Sequence, residues 1–463
     1  MAAKNPKRPK SGYPEKGTQD ERHEKRSKLN HLANLPDDLT ISNIVQRDNC
    51  DEYFVTLTSP PNRVCPCCGS GNCVIKDSGR TQTVRHIENR QRGVIVTFHK
   101  RRLVCKDCQV TFFERLDWLH PALHITSALW VTICLDLTQL LSVATIARNH
   151  RVTPSVVSSV LDTIVYERPA ILPETLGIDE FKGNSGEWDS ERSRWNVEKM
   201  HCNISDGEAG FVIDVLPQIT GEYLLKYFRQ YSPDQRERVK YFCCDMHNGF
   251  ISVAKQMFPQ AHICIDLFHV VKLINDTIEL IRRRLQRDMD EQQDKQKYGI
   301  LKKAARSLLT SELKQEKRGN PNNAKRLEKL KSVFALFPEL AEAYDAMQDF
   351  HRINAESQLI LKKASLTDWI EKYRDSSIPE LESLARRIQH WRGYLHNTWE
   401  YNRSNSTCEG LNNKIKVLKR ISFGLHCFET FRKRVLLTCG AVRLANDPFT
   451  IFSEKRIGKG IKL

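Results

Sequence analysis

Cys65-Pro66-Cys67-Cys68-Gly69 and Cys105-Lys106-Asp107-Cys108 each carry two thiols at Cys-x-x-Cys spacing. Such a pair presents two thiolates from one tight knuckle, and two knuckles complete the tetrahedral four-sulfur set that structural Zn²⁺ prefers. Cys65, Cys68, Cys105 and Cys108 are the expected ligands. Cys67 and Cys73 lie close enough to replace one of them, or to be spare thiols. The long separation between the pairs predicts a hairpin, and metal binding would contribute roughly 10–16 kcal/mol to folding so small a module. Arginines and lysines crowd the same stretch, Arg101 and Arg102 among them. They offer a phosphate-binding surface or a merely solvated face.

A second set of residues suits phosphodiester chemistry. Asp179 ends the apolar run Leu176-Gly177-Ile178-Asp179, and Asp245 ends Tyr241-Phe242-Cys243-Cys244-Asp245. Aspartates at the C-terminal ends of neighbouring strands converge on one sheet edge. There, carboxylates can hold two Mg²⁺ ions that activate an attacking oxygen and stabilise a leaving one on phosphorus. Glu409 is the candidate third acid, near the start of an amphipathic helix over 406–420. Cys408, Leu411, Ile415 and Leu418 form the apolar stripe of that helix, while Glu409, Asn413, Lys416 and Arg420 lie on another face. Lys416 and Arg420 are therefore candidate DNA contacts. Structural readings compete: strand-end aspartates often cap loops, and Ser406-Thr407-Cys408-Glu409 matches a capping box. Asp206 and Asp266 are rival carboxylates, and His269 reads more readily as a helix-start residue than as a catalyst.

The elements that must position these groups are legible as patterns. Strand-like runs at 176–179, 196–204, 210–216, 241–245 and 262–266 alternate with helices at 221–231 and up to 258, predicting an α/β sheet with parallel members. Residues 267–400 are charged and helical, broken only near Gly319-Asn320-Pro321. Upstream, residues 142–147 open one helix, 149–151 a turn, and Thr153-Pro154 an N-cap and first helical residue. Val157, Val160, Leu161 and Ile164 then share one face and Ser155, Ser158 and Ser159 the other, the pattern of a helix-turn-helix whose second helix enters the major groove. Two ordinary packed helices would give the same periodicity.

Bulk properties bound the function. The 463 residues suffice for about three domains. A net charge of +16, from 72 Lys+Arg against 56 Asp+Glu, favours a polyanionic partner. The polar, basic start carries no apolar signal core, and the most hydrophobic stretch, 123–147, is interrupted by His124, Asp136 and Gln139, so no membrane partner is expected. In a cytosolic protein the 15 cysteines would be thiols or metal ligands.

The stretch CPCCGSGNCVIKDSGRTQTVRHI with KRRLVCKDCQVTF, then GIDEFKG, then CDMHNGF with FPQAHICIDLFHVVKLIN, then SNSTCEGLNNKIKVLKRISFGLHCFETFRKRVLL, resemble in order the ISL-three family of bacterial insertion-sequence transposases, over about residues 60–440. The resemblance implies a multidomain α+β chain: a zinc-binding module, a helix-turn-helix, and a ribonuclease-H-like α/β catalytic core interrupted by an all-α insertion. The corresponding boundaries are a basic, largely disordered tail (1–49), zinc module (50–117), helix-turn-helix (118–168), core (171–282), insertion (283–399), core with the glutamate helix (400–445) and C-terminal tail (446–463). It implies structural Zn²⁺, and two catalytic Mg²⁺ ions on Asp179, Asp245 and Glu409, with Asp266 the alternative to Asp245. It also implies double-stranded DNA as partner, at least a dimer, and a cytoplasmic, nucleoid-associated location in bacteria. One of Trp369, Trp391 and Trp399 would stack on an unpaired base or simply pack in the interior. The charged segment 183–195 makes a longer first hairpin than the family pattern suggests. The competing expectation is a catalytically inactive, transposase-derived DNA-binding protein acting as repressor or chromosomal protein.

Overall fold

The computed structural model describes residues 33–441 and 461–462, apart from 37–38, 59, 167–168, 170, 184–187, 190–193, 196–199, 290–293, 318, 320 and 423–426. The chain forms two compact units, the first running to Val165 and the second comprising Tyr166–Arg420 and Gly424–Arg443, with the few remaining residues assigned to the first.

In the first unit, β1 (Leu39–Gln46), β2 (Cys50–Leu57), β3 (Cys73–Asn89), β4 (Arg92–Cys105) and β5 (Thr111–Phe113) form one sheet, ordered β1-β2-β4-β3 with β5 on β4. The expected hairpin between the cysteine pairs is β3–β4. Its two-residue turn puts Arg90 and Gln91 at φ 49° and 62°, the left-handed geometry that matches strand twist and usually calls for Asn or Gly. Val84, Val94, Val96 and Phe98 bury one face against Leu39, Tyr53 and Val55. The tail expected over 1–49 is accordingly too long: β1 lies within it and Leu39 is core. The polar composition of the first 32 residues, which lie outside the described ones, masked that short apolar strand.

Three helices complete this unit: α1 (Ser127–Leu137), α2 (Val143–Asn149) and α3 (Pro154–Thr163). Val157, Val160, Leu161 and Ile164 are buried, as their spacing predicts. Ser142 caps α2 by accepting from Thr145 N at 3.0 Å. Thr153 holds the N-cap position of α3, but its hydroxyl pairs with Ser155 Oγ at 2.7 Å and does not cap the helix. The helices are bonded to the sheet: Arg85 N donates to His124 O (3.0 Å), and Thr126 N donates to Arg85 O (2.9 Å). Buried His86 links Thr126 Oγ1 to Ala33 O, each at 2.9 Å. Helices α1–α3 and this sheet belong to one compact unit.

The second unit is built on β6 (Thr175–Lys182), β7 (Met200–Asp206), β8 (Phe211–Leu216), β9 (Tyr241–Cys244) and β10 (His262–Ile265), in the order β8-β7-β6-β9-β10. The β8-β7-β6 pairs are antiparallel and the β6-β9-β10 pairs parallel. Helices α4 (Gly221–Phe228) and α5 (Asn248–Met257) join β8 to β9 and β9 to β10. In the charged segment after β6, only the short pairing of Trp188–Asp189 with Arg194–Trp195 is described.

Helices follow: α6 (Leu267–Arg287), α7 (Lys295–Leu308), α8 (Glu312–Lys317), α9 (Asn323–Leu336), α10 (Pro338–Ala355), α11 (Leu359–Arg374), α12 (Pro379–Tyr401), α13 (Ser406–Ile421) and α14 (Phe428–Cys439). The expected break at 319–321 separates α8 from α9. The block between α6 and α12 is not a free-standing insertion. Its apolar residues merge with those of the sheet in one core running from Leu172 to Leu395, and the expected limits at 283 and 399 fall inside α6 and α12.

The join is a backbone one. Thr398 Oγ1 on α12 accepts from Ile265 N and donates to Ile265 O, both at 2.9 Å, while Asn397 donates to Ile263 O at 3.0 Å. One helix thus takes up three of the outward polar groups of β10. Thr398→Val keeps the shape but strands a buried N–H, which costs about 1–3 kcal/mol; urea unfolding should show a loss of that size, and an unchanged midpoint would refute the edge-capping role.

Candidate active site and metal centre

The two cysteine knuckles are built alike. Cys65 N donates to Ser70 O and Cys105 N donates to Val110 O, at 2.9 and 3.0 Å. Each knuckle closes through a left-handed residue four places after its first cysteine, Gly69 (φ 71°) and Gln109 (φ 61°). The knuckles are tied together by Asp107, which accepts from Asn72 Nδ2 at 2.8 Å and from the Ser70 hydroxyl.

This brings Cys65, Cys68, Cys105 and Cys108 into one cluster, with Sγ separations of 3.6 Å (Cys65–Cys108) and 3.7 Å (Cys68–Cys105). A tetrahedron with Zn–S bonds near 2.3 Å has edges of roughly 3.8 Å, so the thiols fit zinc. Backbone N–H groups aimed at the sulfurs favour thiolate: the Cys108 amide helps hold Cys105 down to about 6, and the Cys68 amide lowers Cys65. Neither spare cysteine belongs to the cluster. Cys67 is exposed, and Cys73 is buried, its thiol pushed up to about 11 by burial and turned toward Ser70 O.

The basic residues of this module are less available than their number suggests. Arg101 is paired with Glu114, which is 1% exposed, at 2.7 Å, and Arg102 is paired with Asp77. The role expected for them on DNA meets this competition, which sequence spacing could not display. Ser155 is exposed and Ser158 half-buried.

The carboxylates lie in the second unit. The parallel ladders place Ile178 beside Cys244 and Cys244 beside Ile265. The next residues are Asp179, Asp245 and Asp266, so three aspartates stand in a row across three adjacent strands. Asp179 does not end its strand: β6 continues to Lys182, and Asp179 sits where the ladder to β9 stops while the ladder to β7 goes on. Asp266, expected as a rival of Asp245, is its neighbour; it caps α6 by accepting from Phe268 N at 3.0 Å.

Burial and the adjacent Asp245 push Asp179 up to about 7, and burial raises Asp266. His269, in the first turn of α6, contacts Asp245 Oδ2 through Nδ1 at 2.8 Å, and this bond raises the imidazole pKa. Asp245, Asp266 and His269 have ligand atoms close enough together to share one ion.

Helix α13 docks on this row through amides. Asn412, 2% exposed, donates to Asp179 Oδ2 at 2.7 Å and accepts from Asn203 Nδ2 at 3.1 Å. Asn405 donates to Ile178 O (3.0 Å) and Asp245 Oδ1 (3.2 Å). Cys408 meets Ser205 Oγ at 2.6 Å. Gly177 makes room: a Cβ there would lie 2.7 Å from Ser205 Oγ and 2.9 Å from Cys408 Sγ.

Glu409 faces the row closely enough for its charge to raise the pKa of Asp266. The capping-box alternative does not form: Ser406 N donates to Ser404 Oγ, and no hydrogen bond to the Glu409 carboxylate occurs among the described residues. The apolar stripe of Cys408, Leu411, Ile415 and Leu418 is buried as expected. Lys416 and Arg420 are exposed and, among the described residues, without an ion-pair partner. Asn405 and Asn412 were missed from sequence; for Asn412 the available signal was an amide falling within the apolar stripe of α13, while Asn405, just before the helix, gave none.

A family model described as "Transposase", that of the ISL3 family, matches residues 176–435. The chain belongs to this family. A second model, "zinc-finger of transposase IS204/IS1001/IS1096/IS1165", matches residues 61–108. The transposase for insertion sequence element IS1001 of Bordetella parapertussis is 26% identical over 80% of this chain and 86% of its own length. The transposase for insertion sequence element IS1557 of Mycobacterium tuberculosis is 23% identical over 52% of this chain and 56% of its own length. The family expected from sequence is thereby established, and the cysteine cluster coincides with its zinc finger.

Two outcomes follow for this ISL3-family chain. The purified protein should carry one zinc per chain, and Cys105→Ser should lower that content and melt the first unit earlier; full thermal stability after exhaustive chelation would contradict a structural metal. Gly177→Ala should cost about 1–3 kcal/mol in denaturant unfolding through overpacking, with part of the loss recovered in the double variant Gly177→Ala/Cys408→Ala. Strict additivity of the two would rule out the proposed contact.

Proposed function

We propose that the chain is a DDE-type DNA transposase whose second unit is a ribonuclease-H-like core, with Asp179, Asp245 and Glu409 as its metal-binding acids. The observation that carries this reading is the in-register row of aspartates with the Glu409 helix docked beside it. The mixed five-stranded sheet, antiparallel on one side of β6 and parallel on the other, supports the fold assignment. The donor set fits hard divalent cations, because carboxylate oxygens predominate and two of the aspartates are buried side by side with their neighbour. Two Mg²⁺ ions bound there would act as Lewis acids toward the attacking and leaving oxygens of a phosphodiester.

The protein's own groups do the positioning. Asn412 and Asn405 fix the rotamers of Asp179 and Asp245, and His269 holds the second oxygen of Asp245. Burial of Asp179 and Asp266 limits competing hydration. In the proposed sequence, water cleaves the phosphodiester at the element end and frees a 3′-OH. That hydroxyl then attacks a target phosphodiester, displacing a 3′-oxygen by direct transesterification, with no covalent enzyme intermediate.

Recognition of terminal inverted repeats is assigned to the zinc module and to α2–α3 read as a helix-turn-helix, with Ser155 and Ser158 on the reading helix. Lys416 and Arg420 lead from the acidic row toward phosphates. The net charge of +16 supports a DNA partner. No helix among the described residues is long and apolar enough to cross a membrane. Joining two element ends calls for at least a dimer, working on the nucleoid in the cytoplasm.

Labelled terminal-repeat DNA with Mg²⁺ tests the assignment. Asp179→Asn, Asp245→Asn and Glu409→Gln should each lower cleavage by roughly a thousandfold or more, the several kcal/mol that a metal site supplies, while leaving DNA retention in gel shifts nearly unchanged. Undiminished cleavage by Asp245→Asn would sink the triad. Binding by the wild type with no cleavage under any divalent cation would favour the non-enzymatic DNA-binding reading instead.

A further inference from the structure

The tryptophans considered for base stacking are placed elsewhere. Trp369 and Trp391 are buried, Trp369 Nε1 donating to Ala346 O at 2.9 Å, and Trp399 is half-buried with its Nε1 on Asn354 Oδ1 at 3.0 Å. The aromatic ring that does stand in solvent beside the acidic row is Phe268, which is 54% exposed.

Its position is imposed by the helix. In α6, Val270, Leu273, Ile274, Thr277 and Ile278 face the core. Phe268 lies off that buried face, one turn from exposed Lys272. Its backbone N–H is fixed by Asp266 Oδ1 at 3.0 Å, and its ring centroid lies 5.5 Å from that of His269, which in turn touches Asp245. A large apolar ring is therefore pinned in the open, between two residues of the candidate metal-binding cluster. Lys272 has no ion-pair partner among the described residues. An exposed ring followed one helical turn later by an unpaired cation matches a nucleotide: a base has a π-face to stack, and its phosphate takes the charge.

We propose that Phe268 stacks on an unpaired nucleobase next to the scissile phosphate, with Lys272 holding a neighbouring phosphate. This rests on the transposase reading above. Phe268 holds the strand end so that the phosphodiester stays over the aspartate row. It is a positioning residue and takes no part in bond breaking.

The experiment uses full-length protein and duplexes of the inverted repeat flanking the gene. Each carries either a normal base, an abasic site, or 2-aminopurine at positions bordering the cleavage point. Ca²⁺ is used for binding and Mg²⁺ for cleavage. Phe268→Ala should cleave the normal duplex ~5- to 100-fold more slowly, the usual range for one lost base stack. Phe268→Trp should stay near wild type, and the wild type should lose the same factor on one of the abasic duplexes, where Phe268→Ala loses nothing further. 2-Aminopurine at that position should change emission on binding to wild type and not to Phe268→Ala. Equal rates for Phe268→Ala and wild type on the normal duplex would overturn the proposal. So would an equal loss for Phe268→Ala on every duplex, which marks a purely structural role. Asp245→Asn separates the two readings: if it cleaves normally, the catalytic assignment has failed, whatever Phe268 does.

Discussion

Like charges packed side by side dominate the second unit. Asp179, Asp245 and Asp266 occupy the same level on three neighbouring parallel strands, and the outer two are more than nine-tenths buried. Burial disfavours the charged form of Asp179, and the adjacent Asp245 adds like-charge repulsion, so its carboxyl is pushed up to about 7. Much of the surrounding architecture answers this repulsion. His269 brings a partner for Asp245, the Phe268 amide answers Asp266, and two asparagines on or beside α13 donate to Asp179 and Asp245. A helix that follows the sheet by more than 130 residues is thus held against it by hydrogen bonds to the acids. Glu409 is delivered to the row as a result of that docking.

Local patterns were readable where one periodicity ruled. The strands at 176–179, 241–245 and 262–266 were found because they are short apolar runs bounded by turn residues, and the stripe on α13 because it repeats at helical spacing. The clustering of Cys65, Cys68, Cys105 and Cys108 was legible because Cys-x-x-Cys spacing is itself the geometry of a knuckle. Other features depend on partners distant in sequence. Register placed Asp266 beside Asp245, and no pattern in either strand announces register. The commitment of Arg101 to Glu114 is a tertiary fact, and composition counted that arginine as free positive charge. The helical block looked separate because it is charged and strand-free, yet its inward faces complete the core of the sheet.

The first unit shows the same division between spacing and context. The hairpin was expected from the distance between the cysteine pairs, but its turn uses Arg90 and Gln91, residues with no preference for left-handed backbone. The flanking ladder of paired residues fixes that turn from outside, so the usual Asn-Gly signal is absent. His86 was unremarked in the sequence, and it joins the N-terminal segment to the start of α1.

The clamp of α12 on β10 also limits what the edge of the sheet can pair with. A parallel edge strand with free amides and carbonyls is a template on which a neighbouring chain can add its own strand. On β10, the Ile263 carbonyl and both polar groups of Ile265 are occupied by Asn397 and Thr398. With those three groups already bonded, this edge is a poorer template for an added strand than a free one would be.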